Sequence, residues 1–417
     1  MTVLIAGAGI AGLTLGLTLH QIGVPFRIYE SVRSLKPLGV GINLQPNAVR
    51  ELFDLGLEQN LREIGVSTQS LGFYTKTGKE IWTEPRGTAA DYAWPQVSIH
   101  RGQLQMLLFD TLIARAGAQS VVPAHRATGF ATHDDTAELA LETPDGPTVA
   151  TGALVIAADG IHSALRARMY PDEGAPIWGG AILWRGTTQA APFLGGADMV
   201  LAGHDRQRMV VYPITPVDST TGQTTLNWIA ERRVDPAQGW RREDWNRAAD
   251  LADFLPAFES WRFDWLDVPA LIRGAEAVFE YPMVDRDPIP QWTFGRATLI
   301  GDAAHPTYPV GSNGASQAIV DARTLGASLL EHGPSPDALQ HYENILRPPT
   351  TQVTLTNRGS GPDAILQMVE DRSGGTFETI EEVIPRAELA AHSARYKSIA
   401  GFDIDALNAQ PPLIGPV

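Results

Sequence analysis

The feature that most constrains this chain is Gly7-Ala8-Gly9-Ile10-Ala11-Gly12, placed between a short apolar run (Thr2 to Ala6) and a stretch from Ile10 to Ile22 whose apolar residues recur at helical spacing. A second strand-like run, Val24 to Tyr29, follows, and Glu30 at its end stands 18 residues beyond Gly12. Strand, glycine turn, helix and strand within about 30 residues make a βαβ unit whose first strand is buried on both faces of a parallel sheet. Gly7 makes the tight turn, Gly9 lets backbone approach a pyrophosphate, and Gly12 allows close helix-to-strand packing. Ile10 and Ala11 then lie in the first helical turn, where free N–H groups and a partial positive charge meet the phosphates. Glu30, with Ser31 beside it, is placed to accept hydrogen bonds from a ribose diol. The motif predicts a bound dinucleotide and does not separate NAD from FAD.

Further α/β pieces follow. Gln103 to Arg115 reads as a helix, Ala153 to Ala158 and Ala297 to Ile300 as doubly buried strands, and Gly314 to Leu330 as a helix. Between them, Ala181 to Thr188, Arg208 to Ile214 and Thr224 to Glu231 carry β-branched and aromatic residues in short runs separated by turn residues, as antiparallel strands do. The expected organisation is a discontinuous Rossmann-like nucleotide-binding domain over 1–71, 98–177 and 288–350. A mainly antiparallel β-sheet substrate domain over 72–97 and 178–287 interrupts it, and a helical tail spans 351–417. The acid-rich stretch from Gly361 to Glu388 predicts exposed helices with a solvated face.

Composition excludes several functions. With 47 acidic and 32 basic side chains the formal charge is −15, a repulsive field for nucleic acid and anionic lipid. The absence of cysteine rules out thiolate catalysis, disulfides and cysteine-ligated metal centres. The apolar stretch Met1 to Leu19 has no basic leader and is interrupted by four glycines, so it reads as folded protein, and no run is long enough to span a membrane. A cytoplasmic protein, monomer or homodimer, is expected. The histidines show no H-E-x-x-H and no other ligand spacing, so no metal site is expected. Ser163 and His162 are adjacent without a G-x-S-x-G elbow, which argues against a hydrolase.

Two later segments separate the cofactors. Asp159-Gly160-Ile161-His162-Ser163-Ala164-Leu165-Arg166 and Gly301-Asp302-Ala303-Ala304-His305-Pro306 each follow a buried strand. Together with the glycine motif they resemble the class A flavoprotein aromatic hydroxylases, the family of p-hydroxybenzoate hydroxylase. Pro37 to Pro46, Ser98 to Met106, Tyr281 to Pro288 and Gly311 to Ile319 are similar to the branch containing the phenazine-carboxylate monooxygenase. The likeness runs from residue 1 to about residue 350.

The resemblance implies tightly bound, non-covalent FAD, with NADPH or NADH and O2 as co-substrates. It implies hydroxylation of an aromatic or N-heteroaromatic small molecule through a C4a-hydroperoxyflavin, with decarboxylation open. Asp302 would hydrogen-bond the ribityl chain, Arg101 would reach the ribityl or pyrophosphate region, and Asp159 would support the pyrophosphate side. Gly41, Gly311, Asn313, Gly314 and Ala315 would border the flavin, the last four at a helix N-terminus facing its N1/C2=O edge. Trp184, Tyr212 and Trp228, on strands of the substrate sheet, and Pro309, after the GD segment, would meet the substrate. Tyr212 and Pro309 are the candidates nearest the chemistry. Arg185, Arg208 and Arg286 are candidates to hold a substrate anion or to form ion pairs, and His305 is expected to pack or hydrogen-bond. A flavin oxidase or dehydrogenase on the same fold, and a flavin-binding redox sensor, are the alternatives.

Overall fold

A computed structural model describes residues 2–235, 247–359 and 361–415. Val3–Ala6, with every residue buried, pairs in parallel with Leu154–Ala157 on one side and Phe26–Tyr29 on the other. Ala297–Leu299 extends the sheet in parallel beyond Leu154–Ala157, and Val121–Val122 closes the other side. The antiparallel Thr293–Phe294 is the sixth strand. The glycine turn, the Asp159 segment and the Asp302 segment therefore leave the carboxyl ends of three adjacent parallel strands, where ligands of such sheets bind. The helix Ile10–Gln21 is buried from Ala11 to Leu19, because the sheet, the helix Arg101–Ala116 and the helix Gly314–His332 all pack on it.

The β-rich region forms a seven-stranded sheet in the order Val278–Asp285, Ile177–Ala190, Thr224–Arg233, Gln207–Pro213, Asp198–His204, Ser70–Tyr74, Glu80–Pro85. Its strands run antiparallel except where Asp198–His204 pairs in parallel with Ser70–Tyr74. The expected breaks at 71/72 and 97/98 fall inside strands, Ser70–Tyr74 and Gln96–His100. Gln96–His100 joins Gly41–Leu44 and Gly65–Thr68 in a small sheet that leads from one region to the other.

The helix Pro336–Thr356 continues through the expected break at 350/351, with Pro348 and Pro349 inside it. Ala364–Ser373 differs from the exposed helix expected there. Ile365, Leu366 and Val369 share one face and are buried against Leu71, Phe73 and Tyr212, while Glu370 and Asp371 lie off that face. Counting acidic residues hid the apolar stripe between them. No helix among the described residues is long and apolar enough to cross a membrane.

Candidate active site

The carboxyl ends of the parallel strands and the inner face of the seven-stranded sheet enclose a cavity of about 690 Å³. At one end Gly9, Ile10 and Ala11 line it. Gly7 has φ +102°, and a Cβ there would stand 2.5 Å from the Ala158 carbonyl oxygen. A Cβ on Gly12 would stand 2.0 Å from the Gly7 carbonyl oxygen, whereas one on Gly9 would meet nothing within 4 Å. Two of the glycines are thus required by close packing and the third faces open space. Glu30 Oε2 accepts the Ala8 N–H at 2.8 Å, and its Oε1 accepts from the Ser31 hydroxyl and the Val32 N–H. Glu30 pins the glycine loop, and neither it nor Ser31 lines the cavity.

Asp159 and Asp302 both line the cleft. Asp159 Oδ2 accepts the Ala164 N–H at 2.9 Å, while Oδ1 has no protein partner. Burial raises its pKa against the hydrogen bonds it accepts. Burial also raises that of Asp302, against the charges of His305 and Arg101. Arg166 ties the two turns together: from the helix Ala164–Met169 it donates to the Ala303 and Ala304 carbonyls at 3.1 and 2.8 Å, and it pairs with Glu173. Behind the Asp302 turn, Asp321 Oδ2 accepts the Gly301 N–H at 2.7 Å and meets His305 Nε2 at 2.5 Å. Burial alone would lower the His305 pKa, but the Asp321 carboxylate and hydrogen bond carry it above its ordinary value.

In the turn before the helix Gly314–His332, Gly311 takes φ +71° freely, whereas Ser312 at φ +54° is held in the left-handed region that side chains disfavour. Gly314 and Ala315 present that helix's N-terminus to the cavity. Asn313 donates to the Tyr396 hydroxyl at 2.7 Å, and Tyr396 donates to Asn357 Oδ1 at 2.9 Å. A Cβ on Gly311 would stand 1.9 Å from the same hydroxyl, so glycine there lets the tail close over the turn.

The sheet roofs the remainder. Leu71, Phe73, Met199, Leu201, Val210, Ile229, Phe279 and Met283 give it an apolar surface. Arg185 and Tyr212 interrupt that surface. Arg185 donates to the Gly41 carbonyl at 3.0 Å and lies 5.8 Å from the Tyr281 ring centroid, and its Nε has no partner. Burial pulls its pKa down while the two tyrosines hold it up. The Tyr212 phenol is pushed up to about 12 by burial, against the Arg185 charge, which favours its protonated form. Arg208, by contrast, pairs with both Glu231 and Asp363.

Buried polar atoms without protein partners are strung along the cleft: Asn43 Nδ2, Gln45 Oε1, Gln96 Oε1, Asp159 Oδ1 and Arg185 Nε. Native proteins satisfy most such atoms, so a long ligand with polar groups along its length fits here. The FAD binding domain family matches residues 1–252 and 281–356. The phenazine 1,6-dicarboxylic acid hydroxylase PhzS of Lysobacter antibioticus is 41% identical over 409 residues, covering 95% of this chain and 96% of that protein. The chain belongs to the FAD-dependent aromatic hydroxylases. The aurachin C monooxygenase/isomerase of Stigmatella aurantiaca is 32% identical, covering 83% of this chain and 85% of its own. In fold, the chain is similar to Klebsiella pneumoniae HpxO solved with FAD and uric acid, at a TM-score of 0.75 and 23% identity, covering 99% of this chain and 97% of that one.

The hydroxylase fold brings together most of the residues expected from sequence. Gly9, Ile10, Ala11, Gly41, Arg101, Asp159, Arg185, Arg208, Tyr212, Asp302, Pro309, Gly311, Asn313, Gly314 and Ala315 all line one cavity. Trp184 and Trp228 do not. They point to the opposite face of the sheet, where Trp184 stacks on Phe254 at 4.8 Å and the Trp228 indole N–H donates to Thr188 at 3.0 Å. Side chains alternate along a strand, so if Arg185 faces the cavity, Trp184 cannot. Arg286 donates to the Ile161 and Gly174 carbonyls and pairs with Glu173, which makes it a bridge between segments. Ser163 caps the helix Ala164–Met169, and His162 lines the cavity as an exposed residue. Missed from sequence were Tyr281 and Met283, whose strand lay within a segment read only for its motif, and Tyr396 and Phe402 of the tail, which carry no motif.

Proposed function

We propose that this hydroxylase acts on a planar N-heteroaromatic acid, using NADH or NADPH and dioxygen. The observation that carries the reading is Arg185, a buried cation with no carboxylate partner among the described residues, set in an otherwise apolar roof. A buried charge without a counter-ion is costly and is satisfied when a ligand brings one. The PhzS relative, whose name specifies a dicarboxylic acid of a fused heteroaromatic, supports the same substrate class.

FAD, when bound, supplies electron transfer from the nicotinamide and the activation of dioxygen. Gly9, Asp159, Asp302 and Arg101 would hold its polar length, and the N-terminus of Gly314–His332 would favour negative charge at the ring end. The chain's own contributions at the reacting ring are three. Arg185 and the Tyr212 hydroxyl hold the substrate's anionic group, the apolar roof presses the ring flat, and the tail through Tyr396 and Phe402 keeps water out. The cleft carries one glycine fingerprint, so the nicotinamide is assigned a transient visit rather than a domain of its own.

The test is a panel of phenazine and quinoline carboxylic acids with their decarboxylated and neutral analogues, scored for NAD(P)H oxidation and for product mass. Addition of one oxygen, with the carboxylate kept or exchanged for hydroxyl as CO2, supports the proposal. Hydrogen peroxide as the sole oxidised product, or no preference for acids, overturns it.

A further inference from the structure

Far from the cleft, the connection through Gly333 folds the helix Pro336–Thr356 back on the helix Gly314–His332, and three potential ligands converge at that hairpin. One ligand atom each from Glu331, His332 and His341 lies within 4.8 Å of the other two. His332 Nε2 is 3.8 Å from Glu331 Oε1, and the two imidazoles sit edge to face with centroids 4.8 Å apart. All three are at least partly exposed, so an ion could enter from solvent.

The orientation of His341 is set from behind. The Ser328 hydroxyl donates its single proton to the Thr324 carbonyl at 3.0 Å. With that proton on the Thr324 carbonyl, Ser328 accepts toward His341 Nδ1, also at 3.0 Å. In that arrangement Nδ1 carries the hydrogen and the lone pair sits on Nε2, the form of imidazole that binds a metal. An outer hydrogen bond of this kind fixes both tautomer and ring angle in metal-ligating histidines.

We propose that Glu331, His332 and His341 form a binding site for a divalent transition metal of the zinc class. Two imidazoles and one carboxylate match Zn²⁺ or Ni²⁺, with water completing the shell, whereas Mg²⁺ and Ca²⁺ favour all-oxygen sites. The bound ion would staple the C-terminal end of Gly314–His332 to the next helix. Because that helix opens on the cavity at its other end, the ion would stabilise the element that faces the cofactor without touching it. His332 and His341 belong to different helices, so no spacing rule within one helix could reveal the pair.

The experiment titrates ZnCl2, and MgCl2 in parallel, into the chelator-treated, FAD-loaded full chain by calorimetry, with thermal midpoints read alongside. The expected result is one Zn²⁺ per chain, a raised midpoint and weak or no Mg²⁺ binding. His341→Ala should weaken Zn²⁺ binding by more than tenfold, and Ser328→Ala, which removes no ligand, by about tenfold. Flavin absorbance and circular dichroism without metal check that the variants fold, and His332→Ala replaces His341→Ala if that variant does not. Equal Zn²⁺ affinity in wild type and the histidine variant, no binding at millimolar ZnCl2, or equal affinity for Mg²⁺ would overturn the proposal.

Discussion

Behind the cleft at the glycine turn, Gly7 and Gly12 stand against backbone that leaves no room for another carbon; under the seven-stranded sheet the cleft is shaped by side chains that alternate along strands. A methyl group on Gly7 or Gly12 would meet a backbone carbonyl, whereas the roof is lined by side chains such as Leu71, Phe73 and Met199. If the proposed function holds, the first end is where the smallest substitution, at Gly7 or Gly12, does damage without choosing the substrate. On the same footing the second would decide what ring is accepted.

The sharpest way to break this contrast is Gly12→Ala. The added Cβ would fall 2.0 Å from the Gly7 carbonyl oxygen, and neither backbone segment can yield without moving the turn. We expect a loss of about 3 kcal/mol in urea unfolding and poor retention of FAD on desalting. Wild-type stability with FAD retained would show that the turn is softer than its geometry implies.

Arg185→Gln probes the other end. If the substrate's anion is held there, losing a charge-assisted hydrogen bond worth about 1.5 to 3 kcal/mol should raise KM for the acid roughly 10- to 100-fold. The Kd for FAD and the KM for a neutral analogue should hardly move. An equal change for acid and neutral analogue would remove Arg185 from the substrate and leave it a purely architectural bridge to Gly41.

Tyr396→Phe tests where the two ends meet. The hydroxyl accepts from Asn313 at the cavity-lining turn before Gly314–His332 and donates to Asn357, and both bonds disappear. A cost of about 1 to 2 kcal/mol is expected, with a larger share of NAD(P)H oxidation ending as hydrogen peroxide because the tail closes less firmly. Unchanged coupling would mean that the tail excludes water without this latch.

The nucleotide end also has a pH signature. The folded pKa of His305 lies above its ordinary value, since Asp321 outweighs burial. Its protonated form therefore contributes stability in full below about pH 6.5, and that contribution fades as pH rises through the folded pKa. The stability gap between wild type and His305→Asn should narrow toward alkaline pH. A gap that widens would show that His305 works as a neutral hydrogen-bonding group.

The same contrast explains what could be read from sequence. Gly7, Gly12 and the turns at Asp159 and Asp302 are fixed by backbone conformation, and backbone demands leave residue types at set spacings. The strands around Arg185 and Tyr212 were also legible as strands. Which of their faces lines the cavity was not, because neither face is left to solvent: one borders the cavity, the other packs on Phe254, Phe258 and Trp261. With apolar residues at odd and even positions alike, periodicity carries no sign. Tyr396 reaches the site through a long excursion of the tail, and its role depends on tertiary docking that no local pattern records.

Trp184→Phe gives the smallest effect and the cleanest test of that face assignment. The indole stacks on Phe254 with an interplanar angle of 5° and donates to Glu280 at 3.2 Å. Phenylalanine keeps a ring against Phe254 but loses the hydrogen bond and leaves part of the indole's volume unfilled, a cost in stability of about 1 to 2 kcal/mol. Because Trp184 lies on the far side of the sheet from the adjacent Arg185, KM and coupling should stay at wild-type values while the unfolding midpoint falls. A rise in KM matching that of Arg185→Gln would mean that the strand is turned over. The aromatic residues would then form the substrate wall, and the charge would belong to the core.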